Sequence, residues 1–414
     1  MGSNEEAFAA LRCRNFRLYV IGQSFSMMGL WMKRLAMSWL VFRLTQSAFL
    51  LSITEFLGLA PILLIGPVAG AWLDQHDLRK TLIVSQFACL IQAVLLAALC
   101  ASGLAQYWSV TTLALALGII NAVDLPCRQS SVSQLVDSRR ELKSAIAINS
   151  IVFNLSKLVG PAIAGFIVYR FGETICFVLS ALCYLPVQVM LICFIRYRPR
   201  AVPAKRQHML RGVLEGLGYV RSEFVMRRLF ELLGWGCLFA ISYQVLFPMF
   251  ATKVLHGGPQ LLGSLLGGAG IGAIIAVSVM ATRVSLAGLP RWLLVVCGMV
   301  IFGFAAFSLS SFVWLSLIMS LFIGFGVVSL NVCINTLLQS VAAEDKRSRV
   351  LSLYVMCNNG IGPCGGLLMG VLADTWGAQT TMLICAGGMT LVTLRYALNC
   401  AKVTRRLKEM LQEG

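Results

Sequence analysis

Long apolar runs recur along the whole chain, each closed by a short cluster of charged or turn-forming residues. A run of about 18 or more apolar residues crosses the roughly 30 Å hydrocarbon core of a bilayer as a helix. Twelve such spans are read here: 16–43, 47–73, 80–102, 106–128, 144–168, 172–195, 229–252, 259–282, 291–310, 312–338, 350–373 and 377–400. Nothing is left over for a separate soluble domain. The pattern therefore predicts an all-α membrane protein.

Charge placement orients the spans. Of 414 residues 58% are hydrophobic and only 12% charged, against about 25% charged in ordinary soluble domains. Most of the 34 Lys and Arg fall on alternate loops. Arg12, Arg14 and Arg17 begin this series, Arg79 and Lys80 continue it, and a large cluster from Arg196 to Arg228 forms its centre. The opposite loops hold Arg43, Arg170 and Lys253, and four further cations, Lys33, Arg34, Lys157 and Arg395, fall inside spans. Positive loops stay cytoplasmic, so both termini are expected in the cytoplasm of a protein resident in the inner membrane. The same dispersal explains the net charge of +17: a nucleic-acid face needs its cations gathered beside stacking aromatics, whereas these suit topology and anionic-lipid contact. Glu5 and Glu6 precede the basic residues, which argues against a cleaved signal peptide.

The two halves of the chain echo each other. A six-helix bundle over 1–195 and another over 229–414 are joined by a cytoplasmic linker, 196–228, and such doubled units are the usual construction of secondary transporters. Gln134-Leu135-Val136, a charged loop and Gly160-Pro161-Ala162-Ile163-Ala164-Gly165 recur as Gln339-Ser340-Val341, a charged loop and Gly362-Pro363-Cys364-Gly365-Gly366. Gly160, Pro161, Gly165, Gly362 and Pro363 are the expected sites of close helix packing and bending. Residues 212–230 place apolar side chains at helical spacing among Arg and Glu, an interfacial helix expected to tie the halves together.

An ionisable side chain inside a bilayer costs about 3 kcal/mol or more and usually faces a partner or an aqueous cavity. Asp124 and Arg128 stand at i and i+4 near one end of span four, sharing a face. Lys157 lies near mid-depth in span five, within expected reach of Asp124. Glu55 of span two lies at about the depth of Lys33 and Arg34 of span one. Two readings compete for each group: neutral pairs that fix helix register, or a carboxylate that loads and releases a proton as its cation moves. Arg395 is expected to snorkel. The fourteen cysteines form no Cys-x-x-Cys pair and the three histidines stand in separate loops, so no metal site is expected. No phosphate-binding loop of the Gly-x-x-x-x-Gly-Lys-Ser/Thr type is present, and no cofactor is expected.

Gly70, Asp74, Arg79 and Lys80 resemble the signature loop of the major facilitator superfamily, Gly-x-x-x-Asp-Arg-x-x-Arg-Arg, with Gln75 in place of its first arginine. Gly22-Gln23-Ser24-Phe25-Ser26, Trp31, Trp39 to Ser47, Asp124-x-Pro126-x-Arg128-Gln129, Phe153-Asn154-x-x-Lys157 and Gly160-Pro161-Ala162 look like the exporter branch that includes enterobactin exporters and macrolide efflux proteins. Members of that branch often carry arginine where Lys157 stands. The resemblance implies the major facilitator fold and a secondary active transporter, working by alternating access as a monomer. It implies export of an amphipathic small molecule, a siderophore or a hydrophobic drug, by proton antiport. Uptake of a siderophore or nutrient is the alternative within transport. A polytopic membrane enzyme or a non-transporting sensor stands behind both.

Overall fold

Backbone N–H and C=O groups in lipid must be satisfied within their own segment, and helices are what this chain forms. The structure is a computed structural model that describes residues 9–73, 75–136, 138–195, 209–282, 286–344 and 346–413, and no strand occurs among them. The helices are α1 (Arg14–Thr45), α2 (Ala48–Leu73), α3 (Leu78–Ala101), α4 (Tyr107–Gln134), α5 (Arg139–Leu182) and α6 (Leu185–Val189, continued by a π-helical turn, Met190–Phe194). After the linker come α7 (Met209–Ser222), α8 (Phe224–Gly236), α9 (Pro259–Thr282), α10 (Leu289–Leu309), α11 (Val313–Val341), α12 (Arg347–Met356) and α13 (Gly362–Glu413). Between α8 and α9 the chain continues through short helical turns to Val254.

Among the described residues nine helical stretches are long and apolar enough to cross a membrane, where the sequence pattern predicts twelve. The difference lies in three places. Two stretches, Arg140–Phe194 and Arg349–Glu409, are 55 and 61 residues long, about twice one crossing. Each is interrupted at a glycine in left-handed conformation, Gly172 (φ 85°) and Gly377 (φ 84°), a backbone that other residues rarely adopt. These are the residues at which spans six and twelve begin in the sequence. The third is α1, whose 32 residues include Lys33 and Arg34 and which is therefore less apolar than the rest.

The chain divides into two compact units. The first comprises Met1–Gln46, Leu57–Ala204 and Gly257–Gly267; the second comprises Ser47–Phe56, Lys205–His256 and Gly268–Gly414. Each therefore takes one short segment from the other half of the sequence. In the first unit, Phe16, Tyr19, Leu82, Val187 and Leu191 are fully buried in one apolar core. There α5 meets the start of α9 at backbone contact: a Cβ on Gly165 would lie 2.6 Å from the Pro259 carbonyl oxygen and 2.9 Å from Gly263 Cα.

In the second unit the borrowed segment is capped by Asp374 of α13. Its carboxylate accepts hydrogen bonds from the Ser47 hydroxyl, from Ala48 N (2.7 Å) and from Phe49 N (3.2 Å), satisfying donors that a helix start leaves unpaired. Asp374→Ala is expected to remove about 1 kcal/mol, lowering the apparent Tm in a detergent melt by about 2–4 °C. Asp374→Asn, which still accepts from backbone amides, is expected to keep most of that stability.

Helix α7, expected from sequence to bridge the halves, lies on the second unit. Glu215 pairs with Arg349 at 2.8 Å, Tyr219 Oη accepts from Ala343 N at 3.3 Å, and Lys346 Nζ sits 4.5 Å from the Tyr219 ring centre. Pro363, at the start of α13, has no N–H to return to the preceding turn. The turn before it, Cys357–Ile361, is π-helical, a local widening that such interruptions favour. The tight approach here is made by Gly365, where a Cβ would meet the Ser242 hydroxyl and the Leu238 carbonyl, while Gly362 has only an ordinary contact with Ile241 at 3.6 Å. The second-half packing contact thus falls three residues beyond Gly362. Gly160 and Gly165 do sit at close approaches, and both Pro161 and Pro126 lie inside continuous helix.

Candidate transport site

The intramembrane charges of the first unit form two groups. The first centres on Asp124, fully buried on α4. One helical turn along the same face, Arg128 forms an ion pair with it. The other carboxylate oxygen accepts from Ser85 Oγ (2.7 Å) and Gln86 Nε2 (2.8 Å), both on α3. Gln86 Oε1 in turn accepts from Ser26 Oγ of α1 at 2.6 Å. One carboxylate thus anchors a polar chain across three helices, and hydrogen bonds of this kind are what a buried charge requires. Arg128 also reaches the Met27 sulfur at 3.4 Å.

Lys33 is also fully buried in this unit. Its ammonium donates to the Cys89 carbonyl at 3.3 Å and lies 5.0 Å from the Tyr184 ring centre. It therefore turns into the core of its own unit rather than toward Glu55, the partner its depth allows. Glu55, half-buried, stands on the segment that belongs to the second unit.

The second group surrounds Trp31 of α1. Lys157 Nζ lies 5.6 Å and Arg34 Cζ 5.4 Å from the indole centre, and Phe153 meets the indole edge-on at 5.8 Å. Local periodicity explains this. Phe153, Lys157 and Gly160 stand at i, i+4 and i+7 on one face of α5. At Gly160 an added Cβ would lie 2.7 Å from Trp31 Cβ, so the glycine lets α1 come close enough for Lys157 to reach the ring. Lys157 is half-buried and has no hydrogen-bond or ion-pair partner among the described residues. The expected approach of Lys157 to Asp124 is not what the structure forms; Arg128 takes that carboxylate and Lys157 turns to the indole. A cation over an aromatic face gains about 0.5–2 kcal/mol, depending on desolvation.

The loop after α2 carries the residues that resemble the signature loop. Asp74 lies outside the described residues, and a Cβ on Gly70 would meet nothing within 4 Å among them. Arg79 caps the end of the sixth span: its Nε donates to the Leu191 carbonyl and its Nη2 to that of Ile192, both at 2.9 Å. Asp77, to which the motif assigns nothing, caps α3 by accepting from Arg79 N and Lys80 N. Lys80 is exposed. Arg395, expected only to snorkel, pairs with Glu231 at 2.7 Å.

The helices and their intramembrane charges belong to a membrane protein whose fold is that of a major facilitator transporter. A family model described as transmembrane secretion effector matches residues 5–409; the chain belongs to this family of the major facilitator superfamily, as its motifs led one to expect. It is similar to the Staphyloferrin A transporter of Staphylococcus aureus (26% identity, 96% of this chain and 98% of the relative). It is also similar to the multidrug efflux pump Tap of Mycolicibacterium fortuitum (26% identity, 86% and 88%). Among solved structures it matches a bacterial homologue of the human lysosomal transporter Spinster, inward-facing and occupied (TM-score 0.69, 12% identity, 97% and 98% covered). The nucleoside transporter NupG matches too (TM-score 0.69, 15% identity, 93% and 98%). These two likenesses concern the fold. The protein is a multi-pass membrane transporter.

Proposed function

We propose that this transporter exports an anionic, amphipathic small molecule of the siderophore type in exchange for protons, by alternating access across twelve spans. Its basic loops and both termini face the cytoplasm, and it works in the inner membrane. The observation that carries the reading is Lys157. An ammonium near mid-span, half-buried, without a carboxylate partner and set over Trp31 beside Arg34, is matched by a ligand with a negative group and an apolar body. Asp124, held by Arg128, Ser85 and Gln86, is the coupling carboxylate of this proposal, an intramembrane carboxylate of the kind that serves proton relays. Outward direction is supported by the family and by the efflux pumps among the relatives.

The similarity to Tap supports a second reading, efflux of hydrophobic drugs. Inside-out vesicles with an imposed pH gradient separate the two when offered a carboxylate-bearing siderophore and, in parallel, a lipophilic cation of similar size. Lys157→Met is expected to lower gradient-driven siderophore transport by about tenfold, roughly the loss of one charge-assisted contact, with Lys157→Arg retaining it and cation transport undiminished. Equal effects of Lys157→Met on both substrates, or none on either, would overturn the anionic assignment.

A further inference from the structure

The second unit carries a groove apart from the residues assigned to transport above. It has a volume of about 240 Å³ and runs between α8 and the later part of α13. Its apolar wall is Trp235 and Phe239, whose rings stack 5.9 Å apart, facing Leu391. Trp235 and Leu391 are exposed, Leu391 at 71%, so the groove is open at the surface of its unit. Gly388 makes room for it: a Cβ there would lie 2.6 Å from the Phe239 ring. Any larger residue would displace that ring and fill the space.

One end of the groove is strongly basic. Arg228 and Arg395 both bond to the single carboxylate of Glu231, at 2.8 and 2.7 Å, which leaves one of these two guanidinium charges uncompensated. Arg228 Nε is buried and has no hydrogen-bond partner. Just beyond, the Phe224 ring is surrounded by Arg227 (5.9 Å), Arg228 (5.4 Å) and Lys402 (4.8 Å). Four cations therefore stand against two carboxylates, Glu231 and the Glu223 that precedes α8.

The dimensions select the occupant. From Arg228 to Phe239 the chain rises about 16 Å at 1.5 Å per residue, close to the depth of one leaflet of a hydrocarbon core of about 30 Å. A phosphate at the cluster would have its acyl chain lying along Trp235, Phe239 and Leu391. Arginine forks suit phosphate oxygens in paired hydrogen bonds, and basic pockets between membrane helices suit anionic head groups. We propose that this groove is a binding site for one anionic glycerophospholipid, with its phosphate at Arg228 and Arg395 and one acyl chain over Gly388.

The test uses the full-length transporter in neutral detergent, titrated separately with phosphatidylglycerol, phosphatidylcholine and inorganic phosphate, with bound lipid counted by native mass spectrometry. Wild type is expected to retain one tightly held phosphatidylglycerol and to show no such preference for phosphatidylcholine. Inorganic phosphate at equal concentration is expected not to displace the lipid. Arg228→Gln/Arg395→Gln is expected to weaken that binding by at least about fivefold, the scale of losing charge-assisted hydrogen bonds. Gly388→Leu, which leaves every charge in place, is expected to weaken it similarly. Glu231→Gln removes the competing carboxylate and is expected to tighten binding about two- to threefold, a gain that misfolding cannot produce. Unchanged phosphatidylglycerol affinity in Gly388→Leu and Glu231→Gln, or equal retention of phosphatidylcholine by wild type, would overturn the proposal. Full displacement by inorganic phosphate would assign the cluster to a free ion instead and overturn the lipid site.

Discussion

Asp124→Ala is expected to cost the folded transporter about 3–5 kcal/mol, because it leaves the Arg128 guanidinium buried without its carboxylate. Arg128 is 4% exposed and Lys33 is fully buried in the same unit, so removal of the Asp124 carboxylate strands buried positive charge. The loss is visible as a fall of order 10 °C in apparent Tm and as poor recovery from the membrane. A destabilised variant says nothing about coupling, so the informative experiment is the double substitution Asp124→Leu/Arg128→Leu. Replacing a buried ion pair by apolar residues of similar volume is often neutral for stability, and here its remaining cost is the loss of the Ser85 and Gln86 hydrogen bonds. The double variant is expected to recover most of the Tm lost by Asp124→Ala. Its gradient-driven transport is nevertheless expected to stay below about a tenth of wild type, since intramembrane carboxylates of this kind serve proton relays. If the pair is only a register device, transport returns with stability, and a parallel measurement of Tm and of proteoliposome flux distinguishes the outcomes.

Depth along a helix is legible in a sequence, because each residue adds about 1.5 Å; direction around the bundle is much less so. The pairing of Asp124 with Arg128 needed only the i,i+4 rule on one helix, and the structure forms it. Glu55 with Lys33 or Arg34, and Lys157 with Asp124, needed knowledge of which faces meet across helices; Lys33 and Lys157 turn to the Cys89 carbonyl and to the Trp31 ring. A usable signal for Lys157 was present in the i, i+4, i+7 series Phe153, Lys157 and Gly160, which places a small residue, a cation and an aromatic on one strip of α5. The hydrogen-bonding set around Asp124 had a weaker one. Ser85 and Gln86 are polar residues within an apolar span, yet nothing in their spacing tells which neighbouring helix they face. Gly172 and Gly377 stand where the hydrophobic pattern begins spans six and twelve, and a positive φ is where glycine is most strongly required. The Gly-Pro pairs were visible as a repeat, but which glycine makes a contact depends on helix rotation. In the first half it is Gly160 itself, and in the second it is Gly365.

Gly165→Ala is expected to be the most damaging single-carbon change in the first unit. The added Cβ would fall 2.6 Å from the Pro259 carbonyl oxygen and 2.9 Å from Gly263 Cα, and the reciprocal change at Gly263 would meet the Pro161 carbonyl at 2.7 Å. Both obstacles are backbone, so no side chain can rotate away and the helices must separate. Overpacking of this kind costs about 1–3 kcal/mol. Gly267, four residues along α9, has only an ordinary 3.7 Å contact with Ala162, and Gly267→Ala is expected to be nearly neutral in the same melt. Because Gly165 and Gly263 oppose each other across one crossing, their costs should not add: once either methyl has pushed the helices apart, the second meets an opened gap. The double variant is therefore expected to fall short of the summed single effects by about 0.5 kcal/mol or more. We further propose that the start of α9, in the same compact unit as α5 here, separates from α5 during the alternating-access cycle. A penalty of about 1.4 kcal/mol on the packed arrangement then shifts its population tenfold against the unpacked one. Transport by Gly165→Ala should consequently fall by more than Gly267→Ala lowers it, and the deficit should be smaller in the double variant than the product of the single ones. Additive losses in both stability and flux would instead mean that the two glycines act at separate contacts.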